Sequence, residues 1–147
     1  SAEALHRRIH RDLPLYQINT LVDLINLISI KTGYSIGGFD TDKIDGDLVL
    51  GVGRAGELYE GIGRGELNIE GLPVYRDKTG GILIPYLLNL NFRTKIDLNT
   101  TNLLMLINAY SGISGLEETG KWTTNLLEKY ANAIDISTAI ITKELSL

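Results

Sequence analysis

The sequence predicts a single α+β domain. Three observations lead to this prediction: a helical apolar repeat near the start, a glycine-rich centre with strand-like segments, and a second helical repeat near the end. The chain has 147 residues, which is enough for one domain with its own core. We therefore expect one domain over residues 1–147; whether a further N-terminal part belongs with it stays open.

Two helices are predicted at the N-terminal end. Ala2–Arg11 forms a short helix that ends before Pro14. A second helix is capped by Asn19 or Thr20 and ends at Gly33. Its apolar residues recur at helical spacing: Leu21, Leu24, Ile25 and Ile28.

The centre of the chain changes to short strands separated by glycine and aspartate turns, from Ile36 to about Tyr75. Asp45-Gly46 predicts a hairpin between Lys43-Ile44 and the segment Asp47–Leu50.

Two glycine-bounded segments, Gly51–Gly61 and Gly61–Gly71, nearly repeat each other, which predicts successive antiparallel strands. The glycines at 51, 53 and 56 match the letters of a dinucleotide-binding motif, but no helix follows them as that motif requires. We expect these glycines to serve turn geometry instead.

The C-terminal third predicts two helices, Leu103–Tyr110 and Leu116–Ala131, separated by Gly112 and Gly115. A final strand is expected at Ile134–Ile141, where isoleucine alternates with small and hydroxyl residues.

Composition excludes several kinds of site. The chain has no cysteine, so disulfides, thiolate metal ligands and a cysteine nucleophile are ruled out. Its longest apolar runs are too short to span a bilayer. The net charge is −4, which argues against strong autonomous binding of nucleic acid. A local basic cluster fits either a solvated helix face or a weak RNA contact through Arg7, Arg8 and Arg11.

No metal site or catalytic group follows from residue spacing. His6 and His10 lie one helical turn apart but have no third ligand nearby. The aspartates at 40, 42, 45 and 47 lack the spacing of a calcium loop and are more typical of turns. No serine, histidine and acid combine into a hydrolytic triad, so the catalytic residues stay unknown.

Three groups of residues together resemble a known family. The first is Ile18, Asn19, Val22, Asp23 and Asn26; the second is Phe39 and Asp40; the third is Gly80, Gly81, Thr94, Thr100 and Thr101. This pattern resembles the editing (tRNA-binding) domain of the bacterial phenylalanyl-tRNA synthetase beta subunit, here in a freestanding version.

The resemblance implies a three-layer ββα sandwich, a cytoplasmic location and a pocket for the aminoacyl end of tRNA. It implies hydrolysis of tyrosine mischarged onto phenylalanine tRNA, with water as the nucleophile and without metal or organic cofactor. Asn26 would point into the pocket, and a Gly37-Gly38 loop would let backbone approach the substrate. The expected substrate-binding residues are Asn26, Gly37, Gly38, Phe39, Asp40, Gly80, Gly81 and Thr94.

The chain departs from the family pattern at Phe92, where the family has a glutamate, and at Ile25, where it often has threonine. The run Leu83–Phe92 is apolar where the family is polar. It is either a buried strand or hydrophobic interface, with homo-oligomerisation through Leu83–Leu90, or a local corruption of the sequence.

Two other functions therefore stay open beside editing. One is a non-catalytic module that binds a free aromatic amino acid or another small metabolite. The other is a protein-interaction domain.

Overall fold

A computed structural model describes residues 10, 19–61, 65–84, 89–90 and 92–142, with backbone alone for 82–84, 89–90 and 92. Within these residues the protein is α+β, with two helices and small antiparallel sheets. The helices are α1 (Thr20–Thr32) and α2 (Leu116–Ala131). The strands are β1 (Ser35–Asp40), β2 (Val49–Val52), β3 (Glu60–Gly61), β4 (Gly65–Glu66), β5 (Pro73–Arg76), β6 (Gly81–Ile84), β7 (Asn89–Leu90) and β8 (Leu103–Asn108). The chain divides into two compact units, Ser1–Asn108 and Ala109–Leu147.

Helix α1 begins and ends as the sequence predicts. The Asn19 side chain accepts a hydrogen bond from the backbone N–H of Val22 at 2.9 Å, which satisfies one otherwise free donor of the first turn. Gly33 adopts a left-handed conformation and donates its N–H to Ser29, which closes the helix. The buried face consists of Leu24, Ile25, Ile28 and Ser29.

Strand β1 follows α1 directly and pairs antiparallel with β8, so that Ser35 lies opposite Asn108. The predicted helix at Leu103–Tyr110 is therefore wrong, since residues 103–108 form a strand. A short apolar run fits a buried strand as well as a helix, and the pairing with β1 decides between them. The expected Gly37-Gly38 loop is also wrong, because both glycines lie within β1.

A four-stranded antiparallel sheet has the order β2-β5-β6-β7. The predicted hairpin at Asp45-Gly46 is wrong, because β2 pairs with β5 and Lys43 lies in a short 3-10 helix, Thr41–Lys43. Gly46 does take a turn conformation, with φ 74°. The turn therefore forms as predicted, but the strand after it finds a partner further along the chain.

The glycine-rich near repeat is only partly a ladder of successive strands. β3 pairs with β4, whereas β2 does not pair with β3. Gly56 has φ 68°, and a Cβ at Gly53 would overlap the backbone carbonyl oxygen of Ile69. Gly56 therefore serves a turn, as the sequence predicts, whereas Gly53 permits close backbone approach, which the sequence did not predict.

Two apolar clusters belong to the described core of the first unit, in addition to the buried face of α1. Tyr59, Ile69 and Val74 make one, with Leu67 and Leu72 packed against them. Phe39 is the centre of the other, and its partly buried neighbours are Ile44, Leu48, Tyr75, Leu104 and Leu106. The second cluster brings β1, β5 and β8 together through side chains.

In the second unit, α2 confirms the predicted helix over the same residues. Its buried residues recur every four positions, as expected of one helical face: Thr119, Thr123 and Leu127. The predicted strand at Ile134–Ile141 is wrong, because residues 132–142 contain no strand. Ile134 and Ile141 are 82% and 92% exposed, and Asp135 has φ 54°, which interrupts an extended backbone.

Some predictions fall outside the described residues. These include the helix Ala2–Arg11 apart from His10, the basic side chains Arg7, Arg8 and Arg11, and His6. The side chains of the apolar run Leu83–Phe92 also fall outside. In the part of the chain that is described, no helix is long and apolar enough to cross a membrane.

Candidate functional site

Charged and polar side chains from three separate segments meet in the first unit, and we call this cluster the polar junction. The segments are residues 40–46, 77–80 and 93–100, so hydrogen bonds join positions 50 to 60 residues apart. The junction comprises Asp40, Lys43, Asp45, Asp77, Thr79, Arg93, Asp97 and Thr100.

Asp40 ends strand β1 and is buried within the junction. Its carboxylate accepts hydrogen bonds from the Thr100 hydroxyl at 2.9 Å and the backbone N–H of Asp42 at 3.2 Å, and it pairs with Lys43 at 3.1 Å. Burial alone would raise the pKa of Asp40, but the hydrogen bonds from Lys43 and Thr100 and the lysine charge bring it below its ordinary value. The carboxylate is therefore ionised and fully engaged at neutral pH.

Lys43 joins two of the segments. Its ammonium group lies 2.7 Å from the Asp97 carboxylate and donates to the backbone carbonyl of Lys95 at 2.9 Å, in addition to its pair with Asp40. The hydrogen bond to Asp97 is the main cause that raises the pKa of Lys43. Lys43 thus neutralises two carboxylates at once.

Asp77 is the most deeply buried acid of the junction. Its carboxylate accepts from the backbone N–H groups of Asp45, Thr79 and Gly80 and from the guanidinium of Arg93, at 2.8–3.1 Å. Desolvation would raise the pKa of Asp77, yet the bond from Arg93 and the three backbone bonds lower it. Thr79 returns a bond from its hydroxyl to the Asp45 carboxylate at 2.9 Å.

A second contact in the same unit is apolar, and we call it the apolar contact. It brings together Ile25 of α1, Gly38 of β1 and Ile96. A Cβ at Gly38 would overlap Cδ1 of Ile25 and lie 2.9 Å from Cδ1 of Ile96. Ile25 therefore fills the space that Gly38 leaves.

The predicted residues on α1 and β1 divide between surface and core. Asn26 is half-buried on α1, and its side chain has no hydrogen-bond partner among the described residues. Gly37 is buried in β1 opposite Leu106. Phe39 is fully buried in its apolar cluster, which gives it a packing role; its contact with substrate stays a prediction.

The predicted residues of the third group lie on two sides of the junction. Gly80 has φ 149° and donates its N–H to Asp77, and Gly81 starts β6 with the Tyr59 ring where a Cβ would be. Thr94 is fully buried in the 3-10 helix Phe92–Thr94, and its hydroxyl bonds to no group of the described residues. Arg93 connects the two sides through Asp77.

Several junction residues were missed by sequence reasoning. The sequence predicted no site role for Lys43, Asp77, Arg93 or Asp97. Tyr75 and Asn108 form a further, partly buried pair, with the phenol donating to the Asn108 side chain at 2.9 Å, and burial raises the pKa of Tyr75. No local pattern could have found these pairs, because the partners are 16 to 54 residues apart.

The chemistry of the described residues is that of ionised, paired acids. Every described aspartate or glutamate with a resolved shift has a lowered pKa, including Glu57, which pairs with Arg76 at 2.8 Å. Such carboxylates accept hydrogen bonds but make poor general acids at neutral pH. No group of three or more metal-ligating side chains occurs among these residues.

Comparison with known proteins defines the class. A family model described as the B3/4 domain matches residues 1–142, so the chain belongs to the B3/4 domain family. This domain is found in the phenylalanyl-tRNA synthetase beta subunit and related proteins, which makes the chain a tRNA-synthetase-related module. No curated protein matched the sequence.

Proposed function

We propose that this chain is an editing module of the phenylalanyl-tRNA synthetase beta type. It binds the aminoacyl end of tRNA and hydrolyses tyrosine from mischarged phenylalanine tRNA. The observation that carries the proposal is the B3/4 match over residues 1–142. The geometry adds support, since Asn26 offers a half-buried amide without a described partner, and the junction connects the Gly80 and Thr94 segments.

The reaction needs a water molecule to attack the ester carbonyl between tyrosine and the terminal ribose. The C–O bond then breaks, releasing tyrosine and the ribose hydroxyl. Backbone N–H groups can stabilise the oxyanion that forms. No described side chain is assigned as the general base.

The finer features of the family extend the proposal. They include the three-layer ββα sandwich and a cytoplasmic location. Two further parts of the proposal come from this chain's own residues: a weak RNA contact through Arg7, Arg8 and Arg11, and self-association through Leu83–Leu90.

The direct test measures release of tyrosine from tyrosyl-tRNA(Phe) by the purified chain, with phenylalanyl-tRNA(Phe) as the control substrate. Selective release of tyrosine is expected. Asn26→Ala should slow it with little change in melting temperature, whereas Asn125→Ala, an exposed asparagine on α2, should leave it unchanged. Equal release from both substrates, or none, would contradict the proposal.

A second candidate is a non-catalytic module that binds a free aromatic amino acid. It is favoured by Phe92, which stands where the family has an acid, and by the lowered pKa of Asp40 and Asp77. Calorimetric titration with tyrosine and phenylalanine tests it. Binding of tyrosine without hydrolysis of the ester would select this candidate over editing.

A further inference from the structure

Asp77 satisfies donors from three segments with one side chain. Oδ1 accepts from the N–H of Thr79, the N–H of Gly80 and Nη2 of Arg93, while Oδ2 accepts from the N–H of Asp45. Four donors therefore converge on one carboxylate, three of them on Oδ1. The side chain is fully buried. Asp77 is therefore fixed in position, and its side chain has no exposed surface with which to contact a substrate.

Arg93 completes the connection from the other side. Nη2 lies 2.8 Å from Asp77, and Nη1 donates to the backbone carbonyl of Lys43 at 3.0 Å. The two bonds go to different segments of the chain. A planar guanidinium can form both at once, whereas a lysine ammonium reproduces this geometry poorly. Arg93 directly precedes Thr94, so the same bonds set the position of the Thr94 backbone.

The Gly80 N–H already donates a hydrogen bond within the protein. Because it donates to Asp77 at 3.1 Å, it is not available to stabilise an oxyanion. Gly80 can affect a substrate only through the conformation it imposes on the chain, with φ 149° leading into Gly81 and β6. Asp77 holds both backbone groups of Gly80. Its carboxylate accepts from the Gly80 N–H, and its own backbone N–H donates to the Gly80 carbonyl at 3.0 Å.

From these contacts we infer that Asp77 and Arg93 are a positioning pair for the substrate site. The pair holds the Gly80-Gly81 backbone and the Thr94 turn in one fixed arrangement without contacting substrate. The inference rests on the proposed function, since it assigns both segments to the same site. It adds two residues to the set of site residues that the resemblance implies.

The functional arm of the test measures kcat and KM for tyrosine release from tyrosyl-tRNA(Phe), well below each variant's melting temperature. Arg93→Lys should lower kcat by roughly tenfold or more, because small displacements of positioning groups slow chemistry strongly. Arg54→Lys is the matched control at an exposed arginine and should leave both constants unchanged. Asp77→Asn should act like Arg93→Lys; if it does not fold, Arg93→Lys alone decides.

The structural arm needs no substrate and records backbone amide resonances of the whole chain. In Arg93→Lys the amides of Gly80 and Thr94 should shift together, while those of Gly56 and Gly71 stay in place. A shift of Thr94 alone would overturn the coupling. If both amides shift but kcat is unchanged, the pair has only a structural role, and its assignment to the substrate site is wrong. A wild-type chain that neither releases nor binds tyrosine would overturn the proposed function, and the amide shifts would still report whether the pair couples the two segments.

Discussion

The apolar contact and the polar junction both join distant parts of the first unit, but by different physics. The apolar contact depends on volume, since Ile25 and Ile96 close on a backbone without a side chain at Gly38. The polar junction depends on charge and direction, since Asp77 needs each of its donors in place. Substitutions that change side-chain volume should therefore destabilise the apolar contact, and changes of charge or pH should destabilise the polar junction.

This difference changes the interpretation of the glycine at 38. The family resemblance implied close approach of Gly38 to a substrate, whereas the structure shows it packed against apolar side chains. Chemistry-bearing groups are instead concentrated at the junction. Contact between Gly38 and substrate stays a prediction, and the packing of Ile25 and Ile96 by itself explains why residue 38 is a glycine.

The largest effect is expected from Asp77→Ala. It would leave three backbone N–H groups and Arg93 without their acceptor, at a cost of about 3 kcal/mol in the free energy of unfolding, since Arg93 is partly exposed and recovers some hydration. Asp47→Ala, at an exposed aspartate, should change it by less than about 0.5 kcal/mol. Denaturant unfolding measures both. Similar values for the two variants would show that the junction contributes little to stability.

The second-largest effect is expected from Gly38→Val. It should lower the free energy of unfolding by about 2 kcal/mol, because the added side chain overpacks the core. Because the overlapping atom is the tip of Ile25, combining it with Ile25→Ala should recover part of the loss. Gly120→Ala, a helical glycine with open space around it, is the control and should stabilise the protein by up to about 1 kcal/mol. Additive losses in the double variant would disprove the steric account.

Acid pH should separate the two regions. The pKa values of Asp40 and Asp77 are lowered by folding, so their stabilisation is complete above the unfolded value of about 3.9 and is lost as pH falls through the folded values. The free energy of unfolding should therefore fall below about pH 4, and less steeply in Asp77→Asn. Gly38→Val should keep the slope of the wild type. Equal slopes in all three proteins would contradict this prediction.

The smallest effect concerns the buried hydroxyl of Thr94. Thr94→Val keeps the shape and removes a buried polar group that bonds to no described residue, so stability should rise by up to about 1 kcal/mol. Thr123→Val tests the same reasoning at a second such hydroxyl, on α2. Thermal unfolding measures both variants. A clear loss at Thr94 alone would indicate that its hydroxyl is used within the junction.

Local signals predicted part of the fold and of the site. Asn19, Gly33 and the apolar spacing between them defined α1, because capping and helical periodicity are properties of neighbouring residues. Asp40, Gly80 and Thr94 were singled out by resemblance, and the structure places them at or beside the junction.

The predictions that were wrong or missing concern residues whose structure depends on a partner elsewhere in the chain. Residues 103–108 became a strand because β1 lies beside them, and residues 134–141 did not because no described strand does. Lys43, Asp77 and Arg93 gained their roles through bonds across 16 to 54 residues.

By itself the sequence determined the two capped or periodic helices, the glycine turns and, through its B3/4 pattern, the family. Each depends on residues within a few turns of one another or on a pattern of residue types. Only the tertiary structure decided which strand pairs with which, why Gly38 has no side chain, and which acids are neutralised by which cations. Those outcomes depend on distances between segments, and distance in space is fixed only when the whole unit folds.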